Sequence, residues 1–589
     1  MPSLLLCRVA LSLGLLLGAW SLARADIPYT PAIRIEGPEN PELLDTLKKL
    51  SQLMAFKDRP PASEGALRRR ADDDADRLKS VMQAEGFWAA SVSDIVDTTT
   101  SPAKVTLVVT PGPLFHLNQI QLRSGQGEPL PALEGSFGLA VGAAARSAPV
   151  EAANDAIIAH LGNEGYPFAK ILDRKAVVDL ATEGMALTFT IDPGPKAKFG
   201  ATTITGLDRL ERDFVERRIN WETGASYDGR LVEATRRELA QSGLFSMVRV
   251  THAATLDLEG RVAMAIELTE GPPRSIGAGI AYNTTLGFGT RAFWQHRNLF
   301  GEGEQLQLSA LLAQRELGIA TSFRRPDLGF KGQDLVASGE LLRQETDAYH
   351  SRRFGVYSGV EEREIPLFTF GAGLGAESAI ITRSEHDEDY ALLSFPFFAR
   401  RDSTDNALDP TTGTRTTLTF IPYKSFAGPD LSFVTARIEG QAYQAIGPGD
   451  RVILAGYGAV GSLLGPGLDA IPVDKRLYAG GAGSVRAYAF QRAGPLDALG
   501  RPTGGRSSVE FGGELRYRIT SSIGIVPFLE AGNVYDASFP DRGTLFYGGG
   551  VGLRYYTPIG PLRLDLATPF LRRASDSVIQ VYVSIGQAF

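Results

Sequence analysis

Cysteine is almost missing from this 589-residue chain: the single one is Cys7. Residues 1–25 are expected to leave as an export signal, so the mature chain would have no cysteine, which excludes a disulfide framework and any cysteine-held metal. Histidine is nearly as scarce. His116, His160, His252, His296, His350 and His386 lie at least 36 residues apart, and there is no HExxH, GxSxG or P-loop pattern. No catalytic residue, metal or cofactor is therefore expected. Long hydrophobic runs are also lacking. After residue 25 no segment approaches the ~18 consecutive apolar residues of a membrane helix. That excludes a helical membrane protein but not one made of strands, whose single segments give weaker signals. Positive charge has no excess either: beyond residue 25 there are 58 basic and 67 acidic residues, a net charge of −9, with no basic patch or tail. Nucleic acid is thus not an expected partner.

The opening MPSLLLCRVALSLGLLLGAWSLARA has Arg8 in a short head, an apolar run from Val9 to Leu17, and Ala23-Arg24-Ala25 as a small-x-small cleavage pattern. The run is too short to span a bilayer. Beyond it the first half repeats itself. AEGFWAASVSD from Ala84, NEGYPFAKILD from Asn163 and QSGLFSMVRVT from Gln241 each follow a helical pattern, and Gly86, Gly165 and Gly243 are spaced by 79 and 78 residues. Each copy leads into an alternating strand: KVTLVVT from Lys104, ALTFTID from Ala186 and VAMAIEL from Val262. Each strand ends at a glycine-proline step, Gly112-Pro113, Gly194-Pro195 and Gly271-Pro272, which marks a boundary. Three tandem α+β modules are expected, at 26–111, 112–193 and 194–272. In the first, Ala75, Leu78, Val81 and Met82 share a helical face with Gly86 as the cap beyond it. LRRRADDDADR from Leu67 pairs Arg68, Arg69 and Arg70 with Asp72, Asp73 and Asp74 at i,i+4, so it reads as a solvated face.

From about Arg274 the texture changes to persistent alternation. Leu306, Leu308, Ala310 and Leu312 oppose Gln305, Gln307 and Ser309. Val434, Ala436, Ile438 and Ala442 oppose Thr435, Arg437, Glu439 and Gln441, and Leu562, Leu564 and Leu566 oppose Arg563 and Asp565. A charged face repeated strand after strand, with no helix to cover it, predicts a transmembrane barrel with a polar lumen over 273–589. At about 20 residues per strand and connection, this all-β segment holds about 16 antiparallel strands. The carboxylates Glu361-Glu362 and Asp387-Glu388-Asp389 read as solvated loop charges. The ending VIQVYVSIGQAF aligns Ile579, Val581, Val583, Ile585 and Phe589, and is expected to be a last strand that pairs with the first. Glycines inside strands weaken pairing, so Gly277 and Gly279 in the first strand, with Gly586 and Phe589 in the last, are candidates for a weak seam.

One stretch interrupts the alternation: YAGGAGSVRAY, Tyr478 to Tyr488. It begins a GxGxxG but puts Arg486 where the last glycine belongs, and no strand-loop-helix unit surrounds it. RLYAGGAGSVRAY, with HRNLFGEGEQLQL from His296, FRRPDLGFKGQDL from Phe323, RRDSTDNALDPTTGTR from Arg400, FLEAGNVYD from Phe528 and YYTPIGPLRLDLATP from Tyr555, resembles the superfamily of outer-membrane protein assembly and two-partner secretion proteins. Its members join periplasmic POTRA modules to a 16-stranded barrel.

The resemblance covers nearly all of the mature chain. It implies that Gly480, Gly481, Ser484, Val485, Arg486 and Tyr488 belong to an outer loop folded into the barrel, with Arg486 meeting an acidic wall residue. An unpaired guanidinium there would be costly. Strand parity puts Val509, Phe511, Leu515 and Tyr517 outward, so Glu510, Glu514, Arg516 and Arg518 point inward, and likewise Glu530 between Leu529 and Ala531. Glu530 is the expected main partner and Glu514 the second. Ala487 departs from the usual glycine and disfavours positive φ there. Three modules, and the order of the last hundred residues, are most similar to the outer-membrane subunit of the translocation and assembly module. That implies an outer-membrane location, a large inner-membrane-anchored periplasmic partner, and nascent outer-membrane proteins, autotransporters among them, as clients. A secretion pore for one exported protein and a passive porin are the alternatives.

Overall fold

The computed structural model describes residues 26–589 apart from 38–39, 126–136, 284–286, 384–385, 542 and 559. The export signal read in residues 1–25 lies outside the described residues. The chain divides into two compact units, one holding residues up to 203 with 220–234 and 250–265, the other 204–219, 235–249 and 266–589.

The first nine strands form three sheets of the same kind. β1 (Tyr29–Ile35), β2 (Ser91–Asp97) and β3 (Ala103–Thr110) make the first, with α1 (Pro41–Leu50), α2 (Gln52–Ala55) and α3 (Glu64–Ala84) between β1 and β2. β4 (His116–Ser124), α4 (Ser147–Asn163), β5 (Lys170–Asp179) and β6 (Gly184–Asp192) make the second. β7 (Lys198–Thr205), α5 (Arg212–Glu216), α6 (Gly229–Gln241), β8 (Phe245–Leu256) and β9 (Arg261–Glu270) make the third. In each the third strand is central, in the orders β1-β3-β2, β4-β6-β5 and β7-β9-β8. The period-2 pattern read in the sequence explains why. Val105, Leu107 and Val109 in β3, Leu187, Phe189 and Ile191 in β6, and Val262, Met264, Ile266 and Leu268 in β9 all point to the core.

The reading of 67–77 as a wholly solvated face needs correction. Arg68 pairs backwards with Glu64, and Arg70 donates to the Arg59 carbonyl. Asp74 is fully buried. Its carboxylate accepts from Ser51 Oγ at 2.6 Å and from the backbone N–H groups of Gln52 at 2.8 Å and Leu53 at 3.0 Å. Those are donors that the start of α2 leaves without an intrahelical partner.

The barrel opens with β10 (Arg274–Asn283), β11 (Gly287–His296), β12 (Gln305–Ala313), β13 (Glu316–Arg325) and β14 (Gln333–Glu345). It continues through β15 (His350–Glu362), β16 (Phe368–Arg383), β17 (His386–Ser394), β18 (Phe397–Asp402), β19 (Gly413–Ala427) and β20 (Ser432–Ile446). β21 (Val452–Leu464), β22 (Ser507–Arg518), β23 (Ile523–Tyr535), β24 (Phe546–Thr557), β25 (Gly560–Pro569) and β26 (Gln580–Ile585) complete it. β17 and β18 are two parts of one strand broken at Phe395-Pro396, since β16 and β19 pair with both. Proline has no N–H to give to the ladder. The described residues thus form a closed antiparallel barrel of sixteen strands in chain order. Leu308, Leu312, Ile438, Leu562, Leu564 and Leu566 are exposed on the outside, whereas Arg563 and Asp565 are buried within. Glu361 is likewise no loop charge: it lies in β15 and accepts from Arg324 Nη2 at 2.7 Å. Asp387, Glu388 and Asp389 also sit in a strand, β17.

Closure is uneven. Among the described residues β10 pairs with β11 at ten positions but with β26 at one, Asn283 opposite Tyr582. The last strand also ends earlier than its alternation suggests. β26 stops at Ile585, Gly586 takes φ +93°, and the Phe589 ring lies 4.6 Å from that of Tyr457. Gly586 therefore ends the strand instead of weakening it from inside, and Phe589 is not on its outer face. Gly277 faces Phe293 directly, and a Cβ there would stand 2.3 Å from the ring, so this glycine serves cross-strand packing. Gly279 has nothing within 4 Å of such a Cβ.

Two outcomes follow. Asp74→Ala in the full chain should lower the opening free energy of the first module by about 2 kcal/mol, seen as faster hydrogen exchange of Gln52 and Leu53, while Asp73→Ala leaves it unchanged. In the third module, Glu270 Oε1 accepts from the N–H groups of Asp208, Arg209 and Leu210, each at 2.9 Å. Burial raises its pKa, but these donors and Arg209 outweigh that and hold it below the usual carboxylate range. A depressed folded pKa stabilises fully above the unfolded value of about 4.3 and ceases to do so as pH falls through the folded value. Protection factors at 208–210 should accordingly drop on acidification below about pH 4, and Glu270→Gln should remove that pH dependence.

Candidate functional site: a charged cluster beneath an inward loop

The connection between β21 and β22, residues 465–506, carries the interrupting stretch. Gly480 and Gly481 have φ of +104° and +106°, and a Cβ on Gly480 would meet the Ala489 carbonyl oxygen at 2.7 Å, so the first needs glycine twice over. The turn is closed locally: Ser484 Oγ accepts from Gly480 N at 2.9 Å, and Tyr488 O accepts from Gly481 N at 3.0 Å. Tyr457 of β21 donates to the Ser484 carbonyl at 2.6 Å. Val485, Ala487 and Tyr488 are buried against Phe528, Val534 and Ala567 of the wall. Ala487 is not among the residues with positive φ. Its methyl fits because the wall opposite is Gly548, where a Cβ would come within 2.3 Å of it.

This turn drives Arg486 into the wall, where it is fully buried. Its backbone N–H and Nε donate to the two oxygens of Glu530 at 2.7 Å each. Nη1 donates to Asp565 Oδ2 at 2.6 Å, and Nη2 lies 2.8 Å from Glu514 Oε1 as an ion pair. The guanidinium carbon stands 3.6 Å above the centre of the Phe528 ring. Three carboxylates from β22, β23 and β25 thus surround one cation. Around them, Arg516 donates to Glu514 at 3.0 Å and Arg554 to Asp565 at 2.5 Å, with Arg563 Nε 3.5 Å from Asp565. Four guanidinium groups therefore share three carboxylates. Arg516 also donates to the main-chain oxygen of Phe589 at 3.1 Å, and Arg554 to Gln587 Oε1 at 2.9 Å. The residues after Gly586 are turned inward onto this same cluster.

The loop reaches other strands too. Tyr488 Oη donates to the Leu571 carbonyl at 2.6 Å, and Tyr582 of β26 donates to the Tyr488 carbonyl at 3.3 Å. Across the lumen, Lys475 pairs with Glu377 of β16 at 2.5 Å, and Tyr390 of β17 donates to Asp474 at 2.7 Å. Asp565, Arg554, Arg563 and Lys475 are absent from the sequence-based site. Asp565 was legible: the parity of GPLRLDLA turns it inward, and what parity lacks is its height along the barrel.

The fold and this site define a class: a membrane β-barrel, preceded by three small modules, whose lumen holds its own arginine-bearing loop. Residues 298–589 match the Omp85 superfamily domain. The chain is 26% identical over 435 residues to the outer membrane protein assembly factor BamA of Nitratidesulfovibrio vulgaris, a match covering 69% of this chain and 52% of that protein. It is 21% identical over 593 residues to BamA of Neisseria meningitidis serogroup B, covering 88% and 72%. The chain thus spans about half the length of the first relative. The crystal structure of Haemophilus ducreyi BamA lacking POTRA domains 1–3 shares the fold, with a TM-score of 0.63 at 18% identity, covering 80% of this chain and 99% of that one.

Removing one member of a buried ion cluster leaves its partners uncompensated, at a cost of about 3–5 kcal/mol. Arg486→Ala should therefore lower the temperature at which the barrel loses its compact form in semi-native electrophoresis. It should also open the loop to trypsin at Arg492 and Arg501. Arg486→Lys, a point charge without the fork, should restore only part of both.

Proposed function

We propose that this protein is an assembly factor of the outer membrane, its three modules in the periplasm, that helps nascent barrel proteins insert and fold. It uses no cofactor and performs no covalent chemistry. The observation that carries this reading is that, among the described residues, one pair joins β10 to β26. A strand entering hydrocarbon must pair its backbone groups. An edge so sparsely paired among the described residues, which offers ten residues of β10 as template, meets that need at small cost. The edge strands of the modules, β1 and β2, β4 and β5, β7 and β8, extend the same device to unfolded chains by β-addition.

Within that function we assign the chain to the translocation and assembly module, as its outer-membrane subunit with modules bounded near residues 111, 193 and 272. The support is the count of three modules and the similarity of its last hundred residues. The implied partner is a large periplasmic protein anchored in the inner membrane, and the implied clients include autotransporters.

The mature chain would have no cysteine, so a seam lock is clean. Asn283→Cys/Tyr582→Cys should cross-link on oxidation, abolish insertion of client barrels into reconstituted liposomes, and regain it on reduction, while each single variant stays active. Full activity in the oxidised state would overturn the seam mechanism. Photo-cross-linkers at the exposed Ile276 and Ile585 in intact envelopes should capture several nascent barrels. Capture of one exported protein alone would make the chain a dedicated secretion pore.

A further inference from the structure

The outer wall of the barrel carries a pair of arginines that the assembly function leaves unused. Arg343 of β14 and Arg352 of β15 are directly opposite in register, and both are exposed on the lipid-facing side. Leu317 of β13 and Ile380 of β16 flank them at the same level. One step along the strands, Ile319, Leu341 and Phe354 are also exposed. Together they line a groove of about 530 Å³.

Like charges directly opposite each other repel, and a guanidinium on a lipid-facing wall is expensive unless it reaches an interface or an anion. Arg343 has one acidic partner, Glu345, at 2.6 Å. Arg352 has no hydrogen bond or ion pair among the described residues. Neighbouring acid is already engaged, since Asp347 pairs with Arg315 at 3.3 Å. The pair therefore keeps a net positive charge above an apolar groove. That is the complement of a lipid with a phosphorylated head and acyl chains.

The position selects the leaflet. Three residues separate β10 from the last module strand, so its first residue lies on the module-bearing rim. Following the antiparallel strands in order, the β14–β15 connection lies on the opposite rim. Arg343 stands two residues before the end of β14, and Arg352 two residues after the start of β15. With the modules in the periplasm, the orientation taken from the proposed function, this rim faces the cell exterior. We propose that Arg343 and Arg352 form a binding site for a phosphorylated glycolipid of the outer leaflet. One phosphate bridges the two guanidinium groups, and acyl chains lie over Leu341 and Phe354.

The test is a titration of the full-length protein in detergent with bisphosphorylated lipid A, read by native mass spectrometry, with folding checked by semi-native electrophoresis. Arg343→Gln/Arg352→Gln should bind at least tenfold more weakly than the unaltered protein, and lipid A stripped of its phosphates should bind the unaltered protein as weakly. Arg352→Gln alone removes no hydrogen bond or ion pair among the described residues. It keeps the test decisive if the double variant fails to fold, and should give an intermediate loss. Undiminished binding by the folded variants, or indifference to the phosphates, would overturn the site. Equal binding of phosphatidylglycerol would overturn the glycolipid as its occupant. The titration involves no client protein, so failure of this proposal and failure of the assembly reading are separate results.

Discussion

One cation inside a confined space organises this barrel. A guanidinium in a lumen walled by protein loses its water and must be surrounded by anions, or the fold that holds it there is not stable. Arg486 meets Glu530, Glu514 and Asp565 on three strands, and it does so from a loop whose helical structure is two single 3-10 turns, Leu468–Ala470 and Val473–Lys475. Its bonds therefore decide where the loop lies. Without them the stretch from 465 to 506 would have little reason to enter the lumen, because its backbone polar groups are more easily satisfied by water than by a wall.

The anchoring is not symmetric, and the asymmetry bears on function. The arginine and the tyrosine two residues on bind β22, β23 and β25 and reach β26 through Tyr582. The residues after Gly586 fold back onto the same charges. The C-terminal side of the seam is thus held as one block around the ion cluster, while β10 on the other side rests on β11 and, among the described residues, one pair to β26. A junction with one rigid lip and one weakly held lip is suited to offering a free edge to another strand. The contacts of Lys475 and Asp474 with β16 and β17 hold the other end of the loop across the lumen.

Much of this was legible in the residues. Period-2 alternation placed Glu514 and Glu530 inward because a strand has two faces and one was apolar, and the same rule turned Asp565 inward. Whether an inward carboxylate meets Arg486 depends on strand stagger around the barrel, which local sequence does not encode. Helical charge patterning misled at Asp74 for a related reason. The i,i+4 rule compares residues within one helix, whereas the partner of Asp74 is the start of α2, more than twenty residues earlier. Alternation also overran the last strand, since Phe589 keeps parity in sequence while Gly586 turns the backbone out of the sheet.

The sequence by itself determined the three α+β modules, the antiparallel barrel with an apolar outside and a charged inside, and the arginine that requires anions. These follow from spacing and polarity, which act through local geometry and burial. Packing across the whole barrel settled which carboxylates those are, that four guanidinium groups share three of them, that one pair joins β10 to β26 among the described residues, and that Phe589 lies inside. Each depends on the register and height of strands far apart in the chain. Closure of the whole barrel sets those quantities, and no segment sets them alone.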